Sequence, residues 1–210
     1  MRLSQSQYAA DRDLSRQAFA KVFSREPSLG ERQFLQAVGC VETSGGRGWS
    51  WTQGAEAVNS NNIGAIQGGR PPCNPATEFE TTDTHEDGSK YTWCYKKYAT
   101  KLDGWVDLAR TLYTGTHNGV SRKLIRQAAS YGNFNNAVRL QRESGYFEAG
   151  LTSYQRAVDG CIREMSQTLG EPYLPGKSGI SWPLILGISA VGIAGYYLWP
   201  RVTKESPSEQ

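Results

Sequence analysis

The sequence has few of the residues that bind metals or contact nucleic acids. Its 210 residues include only two histidines, His85 and His117, which are far apart and have no paired ligand nearby. We therefore assign no metal, and nothing in the sequence implies a cofactor. Charged residues make up 20% of the chain and the net charge is only +3, without a dense basic block. This composition argues against a nucleic-acid-binding protein and leaves the oligomeric state open.

Cysteine is also scarce, and its spacing excludes a zinc knuckle. The four cysteines, Cys40, Cys73, Cys94 and Cys161, are spread widely along the chain. Cys73 and Cys94 flank a predicted β-hairpin, where a bridge would hold together a lobe with little core of its own. The sequence leaves open whether they are bridged. Cys40 and Cys161 fall within predicted helices, and we expect them to be small core residues rather than a redox pair.

The N-terminus lacks the apolar stretch of a secretory signal peptide, whereas the C-terminus carries a long apolar run. Residues 182–199, WPLILGISAVGIAGYYLW, contain no charge and have aromatic residues at both ends. At about 1.5 Å per residue, a helix of this length just crosses a hydrocarbon core of about 30 Å. The run is apolar on every face, unlike an amphipathic terminal helix. We therefore predict a transmembrane helix over residues 181–199 whose orientation stays open.

Hydrophobic periodicity divides the rest of the chain into helices and a β lobe. Helical patterns cover residues 8–23, 28–42, 102–113, 121–131, 134–142 and 153–169, and Tyr154 lies on the apolar face of the last one. Between residues 44 and 100, glycine, asparagine and proline punctuate two strand-like runs joined by the turn signal EDGS. We predict an α+β domain over residues 1–170, a linker over 171–180, the membrane helix, and a disordered tail over 200–210.

One acidic residue, Glu42, closes the second predicted helix just before a glycine turn, in VETSGG. Ser28 and Glu31 form the S-x-x-E pattern that caps the start of this helix. The helix dipole and partial burial both disfavour a negative charge at the helix C-terminus. A carboxyl group that keeps its proton near neutral pH is what a general acid requires.

Five segments in order, VETSGG, NNIGAI, ATEFE, YKKYAT and SGYFEAGLTSYQRAV, span roughly residues 30–165. In this order they resemble the glucosaminidase family of peptidoglycan hydrolases, the glycoside hydrolase family 73 type found in autolysins. The resemblance implies a lysozyme-like fold, with a mainly helical lobe and a small β-hairpin lobe. Ile63 and Ala65 replace bulkier residues of the family pattern, and Tyr95 with Lys96 replaces Phe-Arg. These departures bear on substrate fit more than on the fold.

The resemblance also implies a set of site residues. Glu42 would be the general acid, and Glu78 the second carboxylate, with Glu80 on the same strand face as its competitor. Inversion through a water molecule and assistance by the substrate's N-acetyl group both remain open. The residues implied to bind the glycan are Asn61, Asn62, Gly64, Tyr98 and Tyr146.

We therefore expect an endo-β-N-acetylglucosaminidase that cleaves β-1,4 bonds of peptidoglycan and is anchored to a lipid membrane. A lytic transglycosylase using Glu42 alone is one alternative, since ETSGG followed by GAIQ is similar to that family's Glu-Ser and Gly-x-x-Gln patterns. A non-catalytic wall-binding protein is another. A C-terminal anchor without a signal peptide leaves the domain on the cytoplasmic side. A phage protein, carried in a virion or virion membrane and acting in entry or lysis, would resolve this, as would a bacterial protein exported by another route.

Overall fold

The structure, a computed structural model, describes residues 3–48, 55–84, 88–147 and 149–174. These residues belong to one compact unit, Met1–Ser178. The helices are α1 (Gln5–Phe23), α2 (Leu29–Thr43), α3 (Ala55–Val58), α4 (Lys101–Tyr113), α5 (Arg122–Ser130), α6 (Phe134–Glu143) and α7 (Leu151–Leu169). The strands are β1 (Gln67–Gly69), β2 (Glu78–Thr84), β3 (Lys90–Lys96), β4 (Thr116–His117) and β5 (Val120–Ser121). The predicted α+β organisation, with a helical lobe and a small β lobe, is confirmed.

Helix α2 is the central helix of the helical lobe. Ser28 and Glu31 form the predicted capping box at its start, with each side chain bonded to the other residue's backbone amide. Phe34, Leu35 and Val38 are fully buried, and the helix contacts α1, α4, α5 and α7. Because α2 packs against four other helices, its position in the helical lobe is well defined.

The β lobe is a three-stranded antiparallel sheet in the order β1-β3-β2. The hairpin of β2 and β3 was predicted, whereas β1 was not, because it is only three residues long and carries two glycines. Phe79 stacks on Tyr95 across β2 and β3, and both pack on Ala57 of α3 as a second, small core. Since side chains alternate along a strand, Glu78 and Glu80 lie on the face opposite Phe79.

Two disulfides involve all four cysteines. Cys73 and Cys94 are bridged, with their Cα atoms 5.5 Å apart, which answers the question left open by the sequence. Cys40 and Cys161 are also bridged, with Cα atoms 6.4 Å apart, so the expectation that they are small core residues rather than a pair was wrong. They face each other where α2 packs along α7, within the Cα separation that a disulfide allows.

The chain after α7 turns back onto the helical lobe. Glu171 forms an ion pair of 2.7 Å with Arg32, and the carbonyl of Pro172 accepts a hydrogen bond of 2.8 Å from Gln33. The first residues of the predicted linker (171–180) therefore contact the helical lobe. The predicted membrane helix (181–199) and tail (200–210) lie outside the described residues. Within the described ranges, no helix is long and apolar enough to cross a membrane.

Candidate active site

Glu42 lies one residue before the end of α2 and is half-buried. The C-cap of the helix is Ser44, which adopts a left-handed conformation with φ of 48°. The hydroxyl of Thr43 donates a hydrogen bond of 2.6 Å to the carbonyl of Ile63 and accepts one of 2.8 Å from the amide of Gly46. One buried side chain therefore ties the helix end, its glycine turn and the NNIGAI segment together, which limits where Glu42 can point.

Tyr154 of α7 donates a hydrogen bond of 2.5 Å to Oε1 of Glu42. Its side chain is only 6% exposed, and its ring stacks on Phe147 with 3.8 Å between ring centroids. Burial, and then the negative charge of Glu42, raise the pKa of Tyr154 well above its ordinary value. The phenol therefore stays protonated and remains a hydrogen-bond donor to Glu42 at physiological pH. Sequence reasoning placed Tyr154 on the apolar face of its helix and did not identify this contact.

Tyr146 lies beside the same carboxyl group. Its hydroxyl donates a hydrogen bond of 3.0 Å to the carbonyl of Gly64, and burial followed by the charge of Glu42 raises its pKa well above the ordinary value. A Cβ at Gly64 would come within 2.5 Å of Leu108 Cδ1 and 3.0 Å of the Tyr146 hydroxyl. Gly64 was among the residues implied to bind the glycan, but the space beside its Cα is filled by Leu108 and Tyr146.

Asn61 and Asn62 have different positions. Asn62 is fully buried and donates to the carbonyls of Ile66 (2.9 Å) and Lys96 (3.1 Å), while its side-chain oxygen accepts from the Ile66 amide (2.8 Å). This places Asn62 in the scaffold that joins the NNIGAI turn to β3, and not on a surface that a glycan would contact. Asn61 is half-buried, with φ of 53°, and donates a hydrogen bond of 3.0 Å to the carbonyl of Tyr98.

Tyr98 is linked to a carboxylate that sequence reasoning missed. Its hydroxyl donates a hydrogen bond of 2.6 Å to Oδ2 of Asp107, which also accepts one of 2.8 Å from Lys96 Nζ. Burial, followed by the hydrogen bond to Asp107, raises the pKa of Tyr98 above its ordinary value. Asp107 interrupts an otherwise apolar stretch of α4, between Val106 and Leu108, and this isolated charge was a signal for it. The three side chains connect α4 to the sheet.

Glu78 is the first residue of β2 and is half-buried. Its Oε2 accepts a hydrogen bond of 2.9 Å from the amide of Asn74, and its Oε1 lies where a Cβ at Gly68 would be, only 2.0 Å from that position. The carboxylate is within 4.8 Å of the sulfurs of Cys73 and Cys94. Because those sulfurs are joined in a disulfide, this cluster does not provide metal ligands. Glu80, the competitor, is exposed.

The structure therefore brings Glu42, Tyr146, Tyr154 and Gly64 together at the end of α2. Glu78 lies on the β lobe, where Lys96 is its cross-strand partner. Lys96, Asp107 and Tyr98 connect that strand to the helical lobe. A carboxyl group held at one oxygen by a protonated phenol is suited to transferring a proton from its other oxygen.

No protein-family model matches the chain, and a search of the curated proteins gives no match. Among solved structures, the chain is similar to the catalytic domain of the autolysin Auto from Listeria monocytogenes. The two share 14% sequence identity, and the alignment covers 78% of this chain and 86% of that chain with a TM-score of 0.49.

Proposed function

We propose that the protein is a peptidoglycan hydrolase of the endo-β-N-acetylglucosaminidase type, which cleaves β-1,4 bonds of the glycan strand with Glu42 as general acid. The observation that carries this proposal is the half-buried Glu42 carboxyl group at a helix end, bonded to the buried Tyr154. Direct contacts join three of the family-like segments around it. Thr43 bonds Ile63, Tyr146 bonds Gly64, and Tyr154 bonds Glu42.

The proposed first step is proton transfer from Glu42 to the departing glycosidic oxygen. Tyr154 keeps its hydrogen bond to Oε1 of Glu42 during this transfer. As Glu42 loses this proton, the hydrogen bond from Tyr154 becomes charge-assisted and therefore stronger. An interaction that strengthens as the reaction proceeds lowers the barrier instead of only binding the ground state.

The second step needs a group that activates water or stabilises the oxocarbenium-like centre. Glu78 is the proposed carboxylate, and the N-acetyl group of the substrate is the substitute if Glu78 proves dispensable. The amide of Asn74, in the loop before β2, and the backbone at Gly68 of β1 fix the position of the Glu78 side chain. A carboxylate held in this way has one defined orientation, which favours a role that depends on position.

The same position of Glu78 supports a second candidate, a lytic transglycosylase. In that mechanism Glu42 alone serves as acid and then base, and the sugar's own hydroxyl group closes an anhydro ring. The contacts of the Glu78 side chain with Asn74 and Gly68 would then serve only the structure of the β lobe. The two candidates predict different products from the same substrate.

The deciding experiment is mass spectrometry of the fragments that the full chain releases from purified peptidoglycan. Reducing-end N-acetylglucosamine that is lost in both Glu42→Gln and Glu78→Gln supports the two-carboxylate hydrolase. Anhydro-muramyl ends that survive Glu78→Gln support the transglycosylase. Glu80→Gln distinguishes the competing carboxylate, and Glu26→Gln, an exposed residue paired with Arg16, is the inert control. Glycan binding without any fragments from the folded wild-type protein would indicate a wall-binding protein.

We also propose that residues 181–199 tether the domain to a lipid membrane, on the basis of the uncharged apolar run alone. The tether predicts that the full chain stays in the membrane pellet after a carbonate wash, whereas a chain ending at residue 178 is released. A phage role further predicts that the protein is present in purified virions or accumulates before lysis. Its absence in both cases would leave a bacterial protein exported by another route.

A further inference from the structure

A buried ion pair lies behind the turn that follows Glu42. Asp11 of α1 is 2% exposed, and both of its carboxylate oxygens bond the guanidinium of Arg47. Nη1 lies 2.7 Å from Oδ2, and Nη2 lies 3.0 Å from Oδ1. A two-pronged contact of this kind defines the orientation of both partners, which a single contact does not.

Arg47 also holds the last turn of α2. Its backbone amide donates a hydrogen bond of 2.8 Å to the carbonyl of Thr43, and its Nη1 donates one of 3.2 Å to the carbonyl of Ser44. Thr43 directly follows Glu42 in the chain. The ion pair therefore connects α1 to the helix end that carries Glu42.

The turn itself is built against the Asp11 carboxylate. Gly45 has φ of +66°, in the left-handed region where glycine is favoured. A Cβ at this position would lie 2.4 Å from Oδ2 of Asp11 and 2.7 Å from Nη1 of Arg47. The backbone of the turn thus passes directly over the ion pair, so both partners of the pair are in contact with it.

We propose that Asp11 is a positioning residue for Glu42, acting through Arg47. The inference rests on the proposed function only for its catalytic consequence. The positioning of the Glu42 carboxyl group holds whatever reaction that group performs. A buried ion pair often adds little net stability compared with a hydrophobic pair of similar volume. A defined geometry at the end of α2 is therefore the better account of this one.

The same helix contains a matched ion pair at its other end. Arg25 bonds Glu31 through two contacts, 2.6 Å and 2.9 Å, and the Glu31 side chain is 2% exposed. Glu31 precedes Glu42 by 11 residues, which is about 16 Å along an α-helix. This pair also joins a guanidinium to a buried carboxylate, but it lies far from Glu42, and Arg25 is 47% exposed against 21% for Arg47.

The test compares the two pairs in the full chain. Asp11→Asn and Arg47→Gln are expected to lower kcat by about 10- to 100-fold, since small displacements of a reacting group have effects of that size. KM should change little. The kcat of the double variant should be no lower than that of the more affected single variant, because both changes remove the same ion pair. Arg47→Lys keeps the positive charge but cannot form two parallel hydrogen bonds with Asp11. It should show the same loss of kcat with a smaller change in Tm.

Glu31→Gln and Arg25→Gln should lower Tm to a similar degree while kcat stays at the wild-type level. If the variants of both ion pairs lost kcat equally, and in proportion to their decrease in Tm, Asp11 would have only a structural role. That result would overturn the proposal. Wild-type kcat in Asp11→Asn and Arg47→Gln would overturn it as well.

A second readout does not depend on turnover. In protein with ¹³C-labelled glutamate carboxyls, the Glu42 signal is identified by its loss in Glu42→Gln. Its titration midpoint should move in Asp11→Asn and Arg47→Gln and should stay in place in Glu31→Gln and Arg25→Gln. An unmoved Glu42 signal in the first pair contradicts the positioning role. If the wild-type protein releases no glycan fragments, the proposed function fails, and this titration still decides the role of Asp11.

Discussion

Tyr154 on α7 donates a hydrogen bond of 2.5 Å to Glu42 on α2, and the Cys40–Cys161 disulfide joins the same two helices. Cys40 precedes Glu42 by two residues, and Cys161 follows Tyr154 by seven, or about two helical turns. The noncovalent contact that orients the proposed acid is thus accompanied by a covalent one nearby. Both contacts hold α2 and α7 together at the site, and each can be tested by substitution.

Removing the Tyr154 hydroxyl is expected to slow the chemical step. Tyr154→Phe keeps the ring stacked on Phe147 but loses a hydrogen bond to a carboxylate, which is worth about 1.5–3 kcal/mol. This corresponds to a kcat lower by about 10- to 100-fold, with KM nearly unchanged. The control is Tyr113→Phe, which removes another buried hydroxyl bonded to α2, at the carbonyl of Glu31. Equal losses of kcat in both variants would contradict the role of Tyr154.

The two disulfides are expected to differ in their contribution to stability. Cys40–Cys161 closes a loop with a sequence separation of 121, against 21 for Cys73–Cys94. In the chain-entropy model these loops correspond to about 5 and about 3 kcal/mol. Urea unfolding of the paired serine variants should therefore show the larger loss for Cys40→Ser/Cys161→Ser. The reverse order would mean that strain or residual structure in the unfolded state outweighs loop closure.

Asn62 is expected to act on stability rather than on glycan affinity. Asn62→Ala leaves the buried carbonyls of Ile66 and Lys96 without this donor and removes the acceptor of the Ile66 amide. A loss of about 3 kcal/mol in the free energy of unfolding is expected. Asn61→Gly, which tolerates the positive φ and removes one hydrogen bond, should cost no more than about 1.5 kcal/mol. Urea unfolding measures both. A stable Asn62→Ala with weakened glycan binding would restore the contact role expected from the sequence.

Gly68→Ala tests the orientation of Glu78 without removing its carboxylate. The added methyl group would lie 2.0 Å from Glu78 Oε1 and force the side chain to move. Because the displaced atom is the end of a flexible side chain, folding should be preserved. Hydrolysis should fall by about 10- to 100-fold if Glu78 acts by position. Gly69→Ala is the matched control, since a Cβ there meets no atom within 4 Å. Full activity in Gly68→Ala would favour the single-carboxylate mechanism.

Protonation of Asp11 is expected to lower kcat at acid pH without lowering the stability of the folded protein. Burial raises its pKa above the 3.8 of an exposed aspartate, while the positive charges of Arg47 and, to a smaller extent, Lys101 oppose the shift only in part. Between 3.8 and the raised pKa, the folded state binds this proton more tightly than the unfolded state does. Protonation of Asp11 therefore adds stability as pH falls through that window, and its contribution is lost as pH rises.

Neutral Asp11 nevertheless loses the charge that attracts Arg47, so kcat should fall in the same window. Asp11→Asn is neutral at every pH, so its kcat should not show this fall at acid pH. Protonation of Asp11 should not lower the Tm of the wild-type protein in the same pH range. The check is a kcat–pH profile of both proteins with Tm measured alongside. Identical profiles in the two proteins would contradict the prediction.

Several elements followed directly from local sequence signals. The start of α2 was predicted from Ser28 and Glu31, because a capping box involves residues only three positions apart. The last helix was predicted over residues 153–169 and observed as Leu151–Leu169, since hydrophobic periodicity is also local. The pairing of β2 with β3 could be expected from the turn signal between two strand-like runs.

Other features were missed because they depend on residues far apart in the chain. The Cys40–Cys161 bridge joins two cysteines that are 121 residues apart in the chain, although pairing Cys73 with Cys94 leaves only these two cysteines. Asp11 and Arg47 are separated by 36 residues, and nothing at either position indicates the other. Strand β1 forms only because β3 offers it an edge.

Caps and hydrophobic periodicity were enough to predict a helical lobe with a small β lobe and a glutamate at the end of α2, because each depends on near neighbours. Packing of α2 against α1 and α7 decided the rest. It placed Tyr154 on the Glu42 carboxyl group and Asp11 behind the turn that follows it. Contact of the NNIGAI turn with β3 placed Asn62 in the scaffold. These positions depend on how distant segments bury their surfaces against one another, and such long-range contacts exist only once the chain has folded.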